Sequence, residues 1–502
     1  MKKVFFVLVC FFCKSIDLFA ANGDSIFHMP YVHTLHVTFP YSTFYDSLIA
    51  SHTNDYYLQV QIDFNGEVYT NVGIKAKGNS SFNNPSQKKS FKIDMNEFVA
   101  GQDIHGLKKL NFNNGFKDPS FMREKLTNDF LSSHQLPAPR VTYCNVYFNN
   151  QLWGLYAIVE EVDDEFCKRW FNSNDGNLFK GDPHGDLKWK GSSTQSLYES
   201  SYELKNNNTA NNWSDLISLI DVINNTPSSN LPSLLDAKLN TSLFIKHWAA
   251  LNIFSNLDAY IGSGHNYYIY HDTITDKFQW IAWDNNESFG SFKYGLSSTQ
   301  LLNLDMYYLS QPTNRPLVNN MLNNAYYKAM YNDAYCALQQ DFTNSYFDTI
   351  IDSIKTKIQS SVYADTKKFY SNNAFDSTFN YDIIGSGPGS ISIFGLKPFI
   401  ANRSTAIQNN MASHAVTCFP LQTQSLSNSN DNYQIYPNPC NEILSIEGTK
   451  DIHEIELSDL SGRVLLKKYF DKTSMVEIPT SSLASGQYLL RINQQTVKKI
   501  AK

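Results

Sequence analysis

Apolar and polar positions alternate along the first part of the chain. Tyr57–Phe64 repeats every second residue and predicts a strand, with Gly66 at the following turn. Val68–Lys77 and Ser90–Asp94 predict further strands. Phe121–Ser132 places Phe121, Leu126, Phe130 and Leu131 at helical spacing. Val141–Phe148 and Gly154–Glu160 flank Asn149-Asn150-Gln151 and predict a hairpin. Residues 190–214 are rich in Ser and Asn and read as a long surface loop. From residue 212 onward helical patterns dominate. The expectation is an α+β domain, residues 24–415, with a β-rich first lobe, a helical second lobe and a cleft between them.

The two ends read differently. Residues 1–20 have the form of a signal peptide: Lys2 and Lys3, an apolar run Val4 to Phe12, and Leu18-Phe19-Ala20 as a cleavage site. Lys14 interrupts that run, which is too short for a membrane span of ~20 residues. No later segment is long and apolar enough to span, so no transmembrane span is expected. Residues 416–432 read as a linker, because FPLQTQSLSNSNDN (419–432) is polar and aperiodic. Residues 433–502 form a separate unit of short β-type runs: 443–446, 452–457, 464–469, 475–478, 488–492 and 497–500. Gly448, Ser461-Gly462 and Ser485-Gly486 separate some of them, and a small all-β sandwich is expected.

Composition narrows the function. A net charge of −6 argues against a nucleic-acid partner. Of seven cysteines, Cys10 and Cys13 lie in the leader; Cys144, Cys167, Cys336, Cys418 and Cys440 are scattered without a C-x-x-C pair. Zinc is therefore not expected, no particular disulfide is predicted, and buried thiols are the expectation. Walker A, H-E-x-x-H and G-x-S-x-G sequences are absent from the chain.

The stretch 241–290 carries the chemistry. Thr241–Leu257 predicts a helix with an apolar stripe of Phe244, Trp248, Leu251 and Phe254, running out at Asn256-Leu257-Asp258. Two aromatic-rich strands follow, Asn266–Tyr270 and Phe278–Trp283, joined by a polar turn at Asp272–Lys277. A turn centred near Thr275 makes pairs whose numbers sum to 550 face each other, which sets Asn266 opposite Asp284. Asp258, Asn266 and Asp284 are then expected at one end of the hairpin. One acid and one amide oxygen suit Mg²⁺, and a further Asp can serve as base or second ligand. His247, His265 and His271 are expected to scatter, as packing or capping groups rather than as a zinc site.

Asn256-x-Asp258, His265-Asn266-Tyr267-Tyr268-x-Tyr270 and Trp283-Asp284-x-Asn286-x-x-Phe289-Gly290 resemble the CotH kinase family. Further matching pieces are Gly73 to Ser81, Lys88 to Ile93, Met122-Arg123-x-Lys125-Leu126, Gly154-Leu155-Tyr156-x-x-x-Glu160, Gly176-Asn177-Leu178-x-Lys180-Gly181 and Leu396-Lys397-x-Phe399-Ile400-x-x-Arg403. Together they run over most of residues 35–410. The tail is similar to the C-terminal sorting domain of type IX secretion. It carries Tyr436-Pro437-Asn438-Pro439, Asp459-Leu460-Ser461-Gly462-Arg463, Leu483 to Tyr488 and Lys498 to Lys502.

The first resemblance implies an atypical protein-kinase-like two-lobed domain that uses ATP with Mg²⁺ or Mn²⁺ to phosphorylate a secreted or surface protein. It assigns Asp258 the catalytic aspartate role and Asn266 and Asp284 the metal. Lys75, Lys77 or Lys92 is assigned to phosphate, with Glu160 as a further cofactor-binding residue. The second resemblance implies the type IX secretion machinery as a partner and an address at the outer-membrane surface or outside the cell. Departures are the missing G-x-G-x-x-G and H-R-D motifs and Asn286, which stands where some members carry a second acid. Asn286 leaves open an inactive, kinase-like binding or structural protein; a phosphotransferase acting on a glycan is the third reading.

Overall fold

The computed structural model describes residues 21–388, 392–418, 433–438, 440, 442–459, 464–481, 483, 486–493 and 496–502. The leader, residues 1–20, and the Ser/Asn-rich stretch 419–432 lie outside the described residues. The chain divides into two compact units between Cys418 and Phe419.

Seven strands open the first unit: β1 (His33–Thr38), β2 (Leu58–Phe64), β3 (Glu67–Lys77), β4 (Ser90–Asp94), β5 (Lys109–Asn113), β6 (Val141–Phe148) and β7 (Gln151–Glu160). They close into a barrel in the order β1-β2-β3-β4-β5-β7-β6. Alternation fills it: Leu58, Val60, Ile62 and Phe64 of β2 meet Val72, Ile74 and Ala76 of β3 and Phe91 and Ile93 of β4 in one buried cluster. Closure was not legible in the sequence. It depends on β1 pairing parallel to β6, His33 opposite Cys144, a contact that no local pattern announces.

The outward-facing positions of β3, β4 and β5 are polar. Lys75 lies opposite Lys92, Lys92 opposite Asn111, and Lys77 opposite Ser90. This polar row becomes one wall of a cleft.

The second lobe wraps helices around a short sheet of β8 (Leu178–Lys180), β9 (Glu203–Leu204), β10 (Tyr267–Asp272) and β11 (Lys277–Ala282), in the order β11-β10-β8-β9. Strand β9, with buried Tyr198, Tyr202 and Trp213, gives structure to the segment expected to be only a surface loop. The helix Thr241–Ile253 is central rather than one-sided, since His247 to Ile253 are all buried. It ends earlier than expected, and Ser255 turns to a left-handed φ of 47°. Fully buried Arg403 closes that end by donating to the carbonyls of Ile253 (3.2 Å), Asn252 (3.0 Å) and Leu304 (2.7 Å). Cys336 and Cys418 form a disulfide that the sequence did not predict, while Cys144, Cys167 and Cys440 are buried free thiols, as expected.

The second unit holds β12 (Tyr433–Tyr436), β13 (Ile443–Asp459), β14 (Val464–Pro479), β15 (Gln487–Ile492) and β16 (Thr496–Ala501). The six expected short runs merge into fewer, longer strands, and the five make one sheet rather than a two-sheet sandwich. The reason is that β13 is shared. Its first half pairs with β12 and its second with β15, while Leu444, Ile446, Ile455 and Leu457 from both halves enter one apolar core. Among the described residues no helix is long and apolar enough to cross a membrane.

Candidate functional site

A cleft of about 610 Å³ lies between the polar wall of the barrel and the open end of the β10–β11 hairpin. Its lining includes Asp258, Asn266 and Asp284, and also Lys75, Lys77 and Lys92. Two turns place the first three. After the helix Thr241–Ile253, Asn256 Oδ1 accepts from the Asp258 backbone N–H at 3.1 Å, a side-chain turn that presents Asp258. The hairpin then pairs Tyr267 with Ala282, so facing residues sum to 549 rather than 550, and Asn266 does not face Asp284. The register is one residue off the expected one because Asp272 closes the turn, accepting from Ile274 N–H and Thr275 Oγ1. A one-residue slip ordinarily sends side chains to opposite faces. Here both residues stand beyond the ladder with left-handed φ, 60° at Asn266 and 54° at Asp284, and both line the cleft.

Asn266 Nδ2 donates to the Asp258 carbonyl at 2.8 Å and to Asp258 Oδ2 at 3.2 Å. That leaves its Oδ1 carbonyl as the atom able to ligate a cation. His265 Nε2 lies 2.8 Å from Asp258 Oδ1. The packing or capping role expected of His265 is therefore replaced by a contact with the candidate catalytic acid. Burial alone would lower the His265 pKa, but the Asp258 hydrogen bond and charge raise it. His247 is buried against the carbonyls of Pro137 and Leu243, and His271 bonds to Asp215. The three histidines are thus apart.

Seven cleft residues are lysines and seven are Asp or Glu, so the lining is dense in charge of both signs. Six of the lysines sit in ion pairs, including Lys75 with Asp55 (2.6 Å) and Lys92 with Glu161 (2.6 Å). Lys77 has no carboxylate in ion-pair reach among the described residues; its Nζ donates to Asn111 Oδ1 at 2.9 Å. Asn111 Nδ2 donates in turn to Glu161 Oε2 at 2.6 Å. Lys77, Asn111, Glu161 and Lys92 are thus one network across β3, β4, β5 and the end of β7. Burial, then the Lys92 charge, push Lys77 down to about 8, against the opposing pull of Asp284. Burial raises Glu161, but the Lys92 charge and hydrogen bond outweigh it and hold the carboxyl at about 2.

Glu160 does not line the cleft. It is buried on Arg140 (2.7 Å) and Arg169 (2.6 Å), because alternation along β7 turns it away from the face that Glu161 occupies. The acid beside the cleft lysine is Glu161, one position on. Reading the alternation forward from Tyr156 and Ile158, both in the barrel core, would have separated the two.

Sequence reasoning also missed Glu124, in the first turn of the helix Arg123–Ser133, which reaches the cleft beside Asp284. Burial, then the Asp284 charge, push its carboxyl up to about 8, and burial raises Asp284 as well. An acid inside the quoted Met122-Arg123-x-Lys125-Leu126 motif was the available signal. Asn286 lines the cleft, and Glu287 next to it is paired with Lys117 at 2.9 Å.

Comparison with known proteins bears on both units of the chain. Residues 434–502 match the secretion system C-terminal sorting domain, which supports export to the cell surface or beyond. The chain is 25% identical over 212 residues to the inner spore coat protein H of Bacillus subtilis (strain 168), covering 42% of this chain and 57% of that protein. The alignment thus spans a little over half of that relative. Residues 74–404, well over half of the chain, match the family described as CotH kinase protein, and the chain belongs to that family.

Proposed function

We propose that the chain is an exported kinase that transfers the γ-phosphoryl group of ATP to a hydroxyl of a secreted or surface protein. The observation that carries this reading is the meeting of Asp258, Asn266 and Asp284 with a lysine-rich wall in one cleft. Asp258 orients the acceptor hydroxyl and takes its proton, with Asn266 and His265 fixing the carboxylate from two sides. Lys92, braced by Glu161, and Lys77, braced by Asn111, neutralise phosphate charge. Ordinary kinases likewise hold a phosphate-contacting lysine by a glutamate. Lys75 stands nearer the rim, engaged by exposed Asp55.

The donor set fits a hard divalent cation such as Mg²⁺ or Mn²⁺. It consists of oxygens, from Asp284 and the Asn266 amide, and one buried oxygen of Glu124 lacks any donor among the described residues. When bound, such a cation supplies charge to the phosphates and holds them in line for transfer. Among the described residues no three His, Cys, Asp or Glu side chains form a ready-made cage; Asp284 and Asn266 would hold the cation together with phosphate and water oxygens.

The test is transfer of labelled phosphate from ATP to candidate surface proteins with Mg²⁺ or Mn²⁺. Wild type is expected to label them and Asp284→Ala to lose labelling; equal labelling by both sinks the reading. Asn286, an amide in the cleft, favours the second reading, an inactive binding scaffold. Under that reading ATP with metal gives no thermal stabilisation, whereas ligand at 100 times its Kd adds ~2.7 kcal/mol. If nucleotide binds but proteins are not labelled, a glycan hydroxyl is the acceptor to screen next.

A further inference from the structure

Glu124 presents a carboxylate that the fold leaves half satisfied. Its Oε2 accepts from Asn113 Nδ2 at 2.8 Å, while Oε1 is buried with no hydrogen-bond partner among the described residues. The residue is 6% exposed. Leaving a buried acceptor unmet is costly, and the cost is greater for an ionised group. Glu287 also has an orphaned oxygen, but Lys117 already neutralises it. Glu124 has no lysine or arginine in ion-pair reach among the described residues.

The fold sets Glu124 beside Asp284. Glu124 and Asn128 are four residues apart on the helix Arg123–Ser133 and share a face. Asn128 Oδ1 accepts from Asn285 Nδ2 at 2.8 Å, and Asp284 immediately precedes Asn285. One turn of helix therefore carries Glu124 toward the strand-end acid, and both side chains line the same cleft.

We propose that Glu124 and Asp284 together form a divalent-cation site, with Glu124 Oε1 as a ligand and Asn113 fixing the carboxylate that offers it. The ligand class is a hard cation that accepts carboxylate oxygen and keeps water, Mg²⁺ or Mn²⁺. Glu124 thereby supplies, from the first lobe, the second acid that Asn286 does not. Its use in catalysis rests on the kinase reading; its existence as a site does not.

The experiment titrates Mn²⁺ alone, without nucleotide, into the full chain and follows free Mn²⁺ by electron paramagnetic resonance. Wild type is expected to bind one Mn²⁺. Glu124→Gln and Asp284→Asn should each weaken it at least tenfold, and Asn113→Ala to a smaller degree. Wild-type affinity in folded Glu124→Gln, or no Mn²⁺ bound by wild type, overturns the proposal. Circular dichroism establishes that the variant is folded. Should Glu124→Gln fail to fold, Glu124→Asp keeps the charge but withdraws the oxygen by one methylene, and undiminished affinity in it overturns the proposal equally. Phosphate transfer measured on the same preparations separates the two readings: Mn²⁺ bound through Glu124 without transfer keeps the site and removes the kinase, and transfer with a Glu124-independent Mn²⁺ affinity does the reverse.

Discussion

Asn285 donates its side-chain N–H to Asn128 Oδ1 at 2.8 Å, tying the loop that follows Asp284 to the helix that carries Glu124. Asn285 Oδ1 also accepts from Asn256 Nδ2 at 3.1 Å, and Asn256 shapes the turn at Asp258. Three buried amides therefore set the relative positions of the helix-borne acid, the strand-end acid and the candidate base.

Replacing Asn285 with Ala strands two buried polar groups at once, Asn128 Oδ1 and Asn256 Nδ2. A loss of ~1–3 kcal/mol in urea unfolding is expected, together with weaker Mn²⁺ binding although Asn285 itself is no ligand. An unchanged urea midpoint would show that the amides find other partners.

A second buried polar pair joins the barrel to the helical lobe. Lys88 Nζ lies 2.6 Å from Asp365 Oδ2, both side chains are inaccessible, and Lys88 also donates to the Leu155 carbonyl. Asp365→Ala leaves an uncompensated buried ammonium and should cost ~3–5 kcal/mol, whereas an apolar Lys88→Met/Asp365→Leu double variant should recover much of it. Gly154, at φ 138°, is packed so closely that an added Cβ would stand 2.5 Å from Asp365 Oδ2. Gly154→Ala is therefore also expected to destabilise, read as a lower denaturant midpoint.

The Lys92–Glu161 pair makes stability depend on pH in a stated direction. Glu161 titrates near 2 in the fold, below its ordinary value of 4.5. Its contribution is therefore fully present above the ordinary value and is lost as pH falls toward the folded one. Glu161→Gln should lower the melting temperature at neutral pH and flatten its decline on acidification. A decline parallel to wild type would place the acid sensitivity elsewhere.

The Cys336–Cys418 disulfide closes a loop of sequence separation 82. Reduction, or Cys418→Ser, should remove ~2–4 kcal/mol. Melting scans with and without a reductant read this directly. Cys144 and Cys167, buried thiols of the same unit, should resist alkylation until it unfolds.

Much of the lining of the candidate cleft is legible in the sequence alone. Asp258, Asn266 and Asp284 announced themselves because a helix end, a polar turn and a strand end are local features. The hairpin register slipped by one because Asp272 captures the turn through its side chain, which apolar alternation does not encode. The matching motif ends at Glu160, and Glu161 lies one position beyond it; only the folded chain assigns the first to Arg140 and Arg169 and the second to Lys92.

The sequence by itself determined the strand-rich first part, the helical second part, the separate β-type tail and the motif residues that mark the family. Periodicity reports which face of an element is apolar, and that requires only neighbours in the chain. The tertiary structure alone decided that the seven strands close, that Lys77, unlike Lys75 and Lys92, has no carboxylate in ion-pair reach among the described residues, and that Glu124 stands beside Asp284. Those outcomes depend on where each buried polar atom finds its partner, and such partners lie far off: Asn128 and Asn285 are 157 positions apart. A buried donor or acceptor must be met by something, but only the folded chain determines by what.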